Sequence, residues 1–379
     1  MVLGKRNLYK YFDFFPTNDD KYGKVNVWGY ATVVKSANPS LQVGERIFGY
    51  FPLAKYAILL CPEAMMRDGS FQAQREKDMP ADWRVYNDYH RLTKDPHYDP
   101  RYENQILIFR PLWWTSYFLS DFLEENNFFG ASTVVISSAS AKTAFGLAFL
   151  LKDKRRVVGL TSARGKPFVQ SLNTYHQVLL YDELNSLSVD ASEKALYVDV
   201  AGDAKLLSAV HGRLGAQLAM VIQVGLSHWD QVGQNITPKE SFPFPSQVFF
   251  CPQWIKKRGV RLCLRCVFSH SEVLIHTSLY YVHVTFSLSF FSFLFFHKKN
   301  YFFQHDLGPE LSERMATAWQ LLLDNVEKWV TIKSGRGEEA VSKVYNSLIT
   351  GQVNPNEGFV LSLWEDKPLS ASGDYSKSS

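Results

Sequence analysis

The stretch Thr133-Val-Val-Ile-Ser-Ser-Ala-Ser-Ala-Lys-Thr-Ala-Phe-Gly-Leu-Ala148 decides the fold. Four β-branched residues run into a cluster of Ser and Ala, and apolar residues then resume at helical spacing. The pattern predicts a strand, a tight turn and a helix, the unit that places a helix N-terminus beneath a phosphate. A second apolar strand, Val157-Val-Gly-Leu160, ends in Thr161-Ser-Ala-Arg-Gly-Lys166. A phosphate turn followed by a basic strand end without acids predicts a dinucleotide, and NADP(H) rather than NAD(H).

From about residue 131 onward, strand and helix alternate. Predicted strands cover 133–137, 157–160, 177–180, 196–199 and 219–224. Such alternation predicts a parallel, doubly wound sheet, whose ligands lie at the carboxyl ends of its strands. Asp199 and Gly225 stand near two of those ends.

Before this region the chain reads as β structure. Asn26 to Val34 has the residue types of a strand broken by one glycine, and Val43 to Gly49 reads as a turn entering another strand. Residues 63 to 105 are richer in charge and read as an exposed excursion. Phe118, Leu119, Phe122 and Leu123 predict a helix from Thr115 to Glu125. Near the other end, Gly308-Pro309 opens a helix whose apolar positions, Leu311, Met315, Leu322, Val326 and Trp329, recur down to Ile332. The Ser-rich tail from Ser370 predicts disorder.

With 379 residues the chain can form two domains of ordinary size. A net charge of +4, with no basic block, argues against a nucleic-acid partner. Four cysteines make no disulfide framework, and no signal-peptide layout opens the chain, so a reducing, cytoplasmic setting is expected.

Residues 259–304 match neither neighbour. Tyr281 to Phe303 holds ten Phe or Tyr residues among Ser, Leu and His. These residues have pyrimidine-rich codons, and Tyr301-Phe-Phe-Gln304 is what a pyrimidine tract ending in CAG encodes. The segment reads as a retained intron or gene-model error. The alternative is a membrane-associated protein using 279–296, a stretch that approaches the length of a span.

Together, Trp28-Gly-Tyr-Ala-Thr-Val-Val34, Val43-Gly-Glu-Arg-Ile-Phe-Gly49 and the 133–150 unit resemble the medium-chain dehydrogenase/reductase superfamily. Arg110-Pro-Leu-Trp-Trp-Thr-Ser116, Val198-Asp-Val-Ala-Gly202 and Gly225-Leu-Ser-His-Trp229 bring the resemblance closer to a zinc-free branch of it, a domain of unknown function related to quinone and enoyl reductases. The resemblance implies an α/β fold: a partial GroES-like β domain over 1–125, a Rossmann doubly wound parallel sheet over 126–258, and a C-terminal return segment over 305–369. The aberrant insert and the tail, 370–379, complete the division. Asn7-Leu-Tyr9-Lys-Tyr11 resembles a segment that such proteins carry after several further strands, so an N-terminal truncation is expected. The resemblance implies a small-molecule substrate and admits a homodimer, which relatives often form.

The turn departs from the glycine-rich dinucleotide fingerprint, because Ser and Ala stand where glycines are usual. Ser138, Ser140 and Thr143 can still bond phosphate oxygens, and Lys142 can add charge; an ordinary small-residue turn is the alternative. Ser162, Arg164 and Lys166 follow the second strand, where a 2′-phosphate wants a cation and a 2′-hydroxyl a carboxylate; no Asp or Glu lies between Arg155 and Leu180, and a solvated basic loop is the alternative. Tyr181 is a candidate for the adenine, with an ordinary surface tyrosine as the alternative, and Gly225 is expected near the cofactor at its strand end.

Zinc is not expected, since no His-Glu pair and no cysteine cluster occupy the first domain. Cys263, Cys266, His270 and His276 mimic a ligand set at unsuitable spacing, inside the aberrant segment. His228 is a candidate proton donor, with a structural role as its alternative. Without zinc, a reductase needs hydrogen bonds or a proton donor for the developing charge. Tyr9 and Asn7 are the candidates by analogy, with Thr115 near the nicotinamide. The expected activity is reduction of a carbonyl or an activated C=C bond, and an inactive nucleotide-binding protein of the same fold stays open.

Overall fold

The computed structural model describes residues 14–17, 19, 21–74, 85–224, 244–258 and 308–365. They divide into two compact units: 1–249 with 323–379, and 250–322.

The first unit opens with a four-stranded antiparallel sheet in the order β1-β2-β4-β3, formed by β1 (Asn26–Thr32), β2 (Arg46–Pro52), β3 (Ser70–Gln72) and β4 (Asp88–Arg91). Pleating sends alternate residues to opposite faces. One face packs Ile47, Phe51, Phe71 and Tyr89 into a core; the other stacks Trp28 on Phe48 at 5.5 Å. Gly29 does not break its strand but pairs in register with Gly49, where a Cβ would lie 2.3 Å from the Tyr89 ring. The stretch read as an exposed excursion thus supplies two strands and the fully buried Phe71 and Tyr89. Strands of three and four residues are too short to show the alternation that would announce them.

Helix α1 (Glu103–Glu125) follows, starting twelve residues before the predicted Thr115 and carrying Pro111 inside it. An interior proline normally argues for a helix start, and here packing overrides it. The buried face includes Phe109, Trp113, Phe118 and Leu123, and Phe109 meets Phe145 of the next helix at 6.1 Å.

The main sheet has six strands in the order β10-β9-β8-β5-β6-β7, every neighbouring pair parallel. Its members are β5 (Thr133–Ile136), β6 (Arg156–Thr161), β7 (Gln177–Leu180), β8 (Ala195–Asp199), β9 (Leu218–Gln223) and β10 (Ser246–Val248). This is the Rossmann order, with its reversal between β5 and β8. Helices α2 (Lys142–Leu151), α3 (Lys166–Ser171) and α4 (Ala204–Leu214) connect strands. Val134, Val135 and Ile136 are fully buried, as central strands of a covered parallel sheet must be. Each such side chain contributes roughly 1.5–3 kcal/mol of burial. Asp203 caps α4 by accepting from the amides of Lys205 and Leu206.

A final βαβ unit closes the first compact unit: β11 (Thr331–Arg336) lies parallel to β12 (Glu357–Ser362), with α8 (Gly337–Ile349) between them. The single helix expected from Gly308 to Ile332 is instead α6 (Gly308–Leu323), the short α7 (Val326–Trp329) and the start of β11. Asp324-Asn325 interrupts the helical run, and the β-branched Val330, Thr331 and Ile332 favour extension. Among the described residues of the second unit are a helix at 251–258, labelled α5, and most of α6. Residues 259–304 and the tail lie outside the described residues, and no described helix is long and apolar enough to cross a membrane.

A buried charge cluster sits beside the antiparallel sheet. Asp95 and Arg110 form an ion pair, and the guanidinium lies 4.7 Å over the Phe48 ring. Asp88 is 3% exposed, with Ser70 as its hydrogen-bonding neighbour; the Arg67 guanidinium and the His90 imidazole each lie 4.0 Å from its carboxylate. Burial drives the Asp88 carboxyl up to about 7, against the pull of Arg67. Burial and then Arg110 push His90 down to about 3 and His97 to about 4.

These groups oppose one another in their pH dependence. As pH falls below the ordinary histidine value of 6.5, the unfolded chain takes up protons that folded His90 and His97 refuse, so stability is lost with acid. Folded Asp88 holds its proton up to about pH 7 while an unfolded aspartate releases it near 3.8, so its contribution is lost as pH rises. Replacing Asp88 by Asn removes the opposing slope. The variant is expected to lose stability on acidification more steeply than the parent, by up to about 1.4 kcal/mol per pH unit between roughly pH 4 and 6.5. Urea midpoints across that window measure it, and parallel profiles for the two proteins would contradict the assignment.

Candidate dinucleotide site at the strand-order reversal

The turn after β5 is built from three constraints. Ser138 adopts a left-handed backbone with φ of 48°, which swings the chain out of the strand. The amide of Ala139 donates to Leu160 O at 3.0 Å, pinning the turn to β6, and the Tyr175 hydroxyl donates to Ala139 O at 2.8 Å. That approach needs Gly159, because a Cβ there would lie 2.8 Å from the Tyr175 ring and 2.9 Å from Ala139 Cβ. Helix α2 then starts at Lys142 behind Ala141, which gives no side-chain cap. The first amides of α2 therefore have no intrahelical acceptor, and the positive end of its dipole faces the turn.

Across the reversal, Ser137 joins β5 to the end of β8. Its hydroxyl oxygen accepts from the amides of Val200 at 2.9 Å and Ala201 at 3.0 Å, and lies 3.1 Å from Asp199 Oδ1. Asp199 Oδ1 also accepts from Gly202 N at 3.0 Å. Burial raises the Asp199 carboxyl above its ordinary value, while the Gly202 amide and Ser137 pull the other way.

The predicted residues occupy distinct places around this edge. Ser138 is hydrogen-bonded to Tyr181, whose hydroxyl burial pushes up. Ser140 is half-buried, close to Gly165: a Cβ on that glycine would lie 3.4 Å from Ser140 Oγ and 2.5 Å from Thr161 Oγ1. Thr143 is half-buried at the start of α2, where its carbonyl lies 2.8 Å from the Ser116 hydroxyl of α1. Lys142 turns its ammonium to Glu357 O at 3.0 Å, and burial lowers its pKa. Ser162 accepts from the amides of Gly165 and Lys166 through its carbonyl, each at 3.0 Å. Arg164 is exposed and donates to Gly351 O, Gln352 O and Asn354 Oδ1. Lys166 pairs with Glu183 at 2.9 Å. Thr115 donates to Pro111 O at 2.9 Å within its own helix. Asn7, Tyr9, Gly225 and His228 lie outside the described residues, as do Cys263, Cys266, His270 and His276.

Three residues at this edge, Ser137, Asp199 and Glu183, were not among the predicted site residues. Ser137 stood inside the quoted turn, and its place as last residue of the buried strand was the usable signal. Asp199 was noted only as a strand-end acid. Glu183 lies three residues past β7, just beyond the window searched for a carboxylate.

The edge fits a dinucleotide. The uncapped α2 start and the small residues before it leave backbone donors for a diphosphate, and cationic side chains flank the end of β6. A separate cavity of about 1240 Å³ lies between β1, β2 and the C-terminal βαβ unit, lined by Trp28, Tyr30, Phe51, Leu348, Phe359 and Trp364, and it shares no residue with the β5 turn. Among the described residues no three His, Cys, Asp or Glu side chains are grouped to hold a metal.

The architecture is a small antiparallel sheet, a six-stranded parallel sheet in the Rossmann order and a C-terminal βαβ unit. The chain belongs to the family described as "Protein of unknown function (DUF2855)", which matches residues 2–273. No curated protein matches it in sequence. Among solved structures it is similar to the YhdH oxidoreductase of Salmonella enterica in complex with NADP, at 14% identity and a TM-score of 0.41, over 88% of this chain and 79% of that one. It is similar also to CurA of Vibrio vulnificus in complex with NADPH, at 13% identity and a TM-score of 0.47, over 90% and 80% of the two chains. A third similarity is to Bacillus subtilis protein yhfP with NAD bound, at 13% identity and a TM-score of 0.42, over 89% and 80%.

Ser137→Ala removes the hydroxyl oxygen that the Val200 and Ala201 amides share and that lies 3.1 Å from Asp199 Oδ1. The variant is expected to lose about 2–4 kcal/mol of stability in urea unfolding. Unchanged stability would show that the hydroxyl does not hold the reversal together.

Proposed function

We propose that this protein is a zinc-independent, NADP(H)-dependent oxidoreductase that reduces a carbonyl or an activated C=C bond of a small molecule. The observation that carries the reading is the reversal of strand order between β5 and β8, with the uncapped start of α2 on one side of it and the basic end of β6 on the other. The Salmonella and Vibrio proteins were solved with NADP and NADPH, in keeping with the phosphorylated cofactor, and the Bacillus protein with NAD.

In this reading the first amides of α2 receive the pyrophosphate, with Ser138, Ser140 and Thr143 adding hydroxyl donors and Lys142 its charge. Ser162, Arg164 and Lys166 hold the 2′-phosphate, and a guanidinium suits that role because it can donate two parallel bonds. Tyr181 borders the adenine, and Gly225 lets the backbone approach at the end of β9. When bound, the dinucleotide supplies the hydride. Tyr9 donates the proton that neutralises the developing oxyanion or enolate and Asn7 a hydrogen bond to it, with Thr115 beside the nicotinamide. A cytoplasmic location and a homodimer belong to the same proposal.

A second reading, a nucleotide-binding protein without catalysis, has one observation in its favour: the Thr115 hydroxyl is spent on Pro111 O.

Fluorescence titration with NADPH and NADH, followed by turnover with quinones, enones and aldehydes, separates the two. NADPH is expected to bind more tightly than NADH. Arg164→Ala is expected to weaken NADPH by roughly 10- to 100-fold and to change NADH by less than about 2-fold. Binding without turnover favours the second reading, and the absence of any dinucleotide binding defeats both.

A further inference from the structure

The proposed 2′-phosphate ligand Arg164 is already engaged, and its partners come from the far end of the chain. Nη1 donates to Gly351 O at 2.6 Å, while Nη2 donates to Gln352 O at 3.0 Å and to Asn354 Oδ1 at 3.1 Å. A guanidinium has five N–H groups, and a bidentate phosphate uses two on adjacent nitrogens, either both Nη atoms or Nε with one Nη. Both hydrogens of Nη2 and one of Nη1 are spent here. The two that remain are on Nε and on Nη1; Nε–H shares its edge with Nη2, not Nη1, so a phosphate cannot be held by two parallel bonds until at least one of these contacts opens.

The segment making the contacts is internally organised. Gly351, at φ of 67°, ends α8 in the left-handed conformation, and its amide donates to Leu348 O at 3.2 Å; Gln352 N donates to Ser347 O at 2.9 Å. The carbonyls facing Arg164 thus follow directly on the negative end of a helix, where a cation is favoured. At its other end the segment is tethered twice: Glu357 O accepts from Lys142 at 3.0 Å, and the Glu357 carboxylate pairs with Lys333. Within the segment, Asn354 Nδ2 donates to that carboxylate at 3.1 Å. The ends therefore differ in kind. The Glu357 end rests on a buried ammonium and an ion pair, whereas the Arg164 end rests on an exposed side chain.

We propose that Gly351–Glu357 is a strap, fixed at Glu357 and releasable at Arg164, that a 2′-phosphorylated dinucleotide must displace in order to bind. The inference rests on the functional reading above and adds a regulation of that site. The resting chain caps the strap with Arg164; the 2′-phosphate takes the guanidinium and leaves the carbonyls of Gly351 and Gln352 to solvent. A dinucleotide without the 2′-phosphate offers no competitor and leaves the strap closed.

Hydrogen exchange of the full-length chain, read on peptides spanning 350–357, tests this with three probes: NADPH, 2′,5′-ADP and NADH at saturation. NADPH and 2′,5′-ADP are expected to speed exchange in the strap by at least about 3-fold, and NADH to leave it unchanged. Asn354→Ala removes one competitor and is expected to tighten NADPH by roughly 2- to 10-fold with NADH unaffected. Exchange that stays constant while NADPH binds, or an Asn354→Ala variant that binds NADPH no better, overturns the strap and leaves the cofactor reading intact. No binding of any of the three probes removes the cofactor reading, and the strap falls with it.

Discussion

The buried hydroxyl of Ser137 holds the parallel sheet together at the point where its strand order reverses. Strands β5 and β8 diverge there, because the chain leaves one towards α2 and the other towards α4. There one hydroxyl oxygen accepts from the amides of Val200 and Ala201, and Asp199 accepts from that of Gly202. A larger apolar residue at 137 would lose both of the hydroxyl's bonds at once. The turn at Ser138, the start of α2 and the place for a diphosphate all follow from that bridge.

The two sheets of the first unit solve different electrostatic problems. The Rossmann sheet buries apolar side chains and gathers Ser137, Asp199 and the start of α2 at its carboxyl edge. The antiparallel sheet instead accepts a buried Asp88, two uncharged histidines and the Asp95–Arg110 pair. A buried ion pair of this kind adds little net stability, since desolvation offsets most of its attraction. Its value is positional: Arg110 lies in α1 and Asp95 precedes that helix, so the pair fixes how the helix enters beside Phe48.

Much of the parallel sheet was legible in the sequence, and the reason is physical. Strands buried on both faces must be continuous apolar runs, and β5, β6 and β8 are; their predicted bounds fall within about two residues of those observed. The short strands β3 and β4 left no such trace, since three or four residues cannot display a period. Pro111 concealed the first half of α1 by a local rule that tertiary packing outweighed. For the site, residue types marked the right turn and the right strand end. They could not reveal what each cation touches, because the partners of Lys142 and Arg164 lie about two hundred residues away in sequence.

That distance alters how the basic strand end should be understood. In the sequence, Arg164 and Lys166 look like unspent charge waiting for a phosphate. In the fold, Lys166 already pairs with Glu183, and Arg164 is shared among carbonyl and amide oxygens. A 2′-phosphate arriving here would not find free cations; it would exchange partners with them. Affinity is then a difference between two sets of charge-assisted bonds, smaller than either set alone. Glu183 matters in that balance, because its carboxylate is held in the ionised form by the Leu180 amide and Lys166. A carboxylate kept charged at the end of β7 also repels a 2′-phosphate that approaches without first drawing Lys166 away. Discrimination between the two dinucleotides would therefore rest on how readily these local partners let go, and less on the number of basic residues the strand end carries.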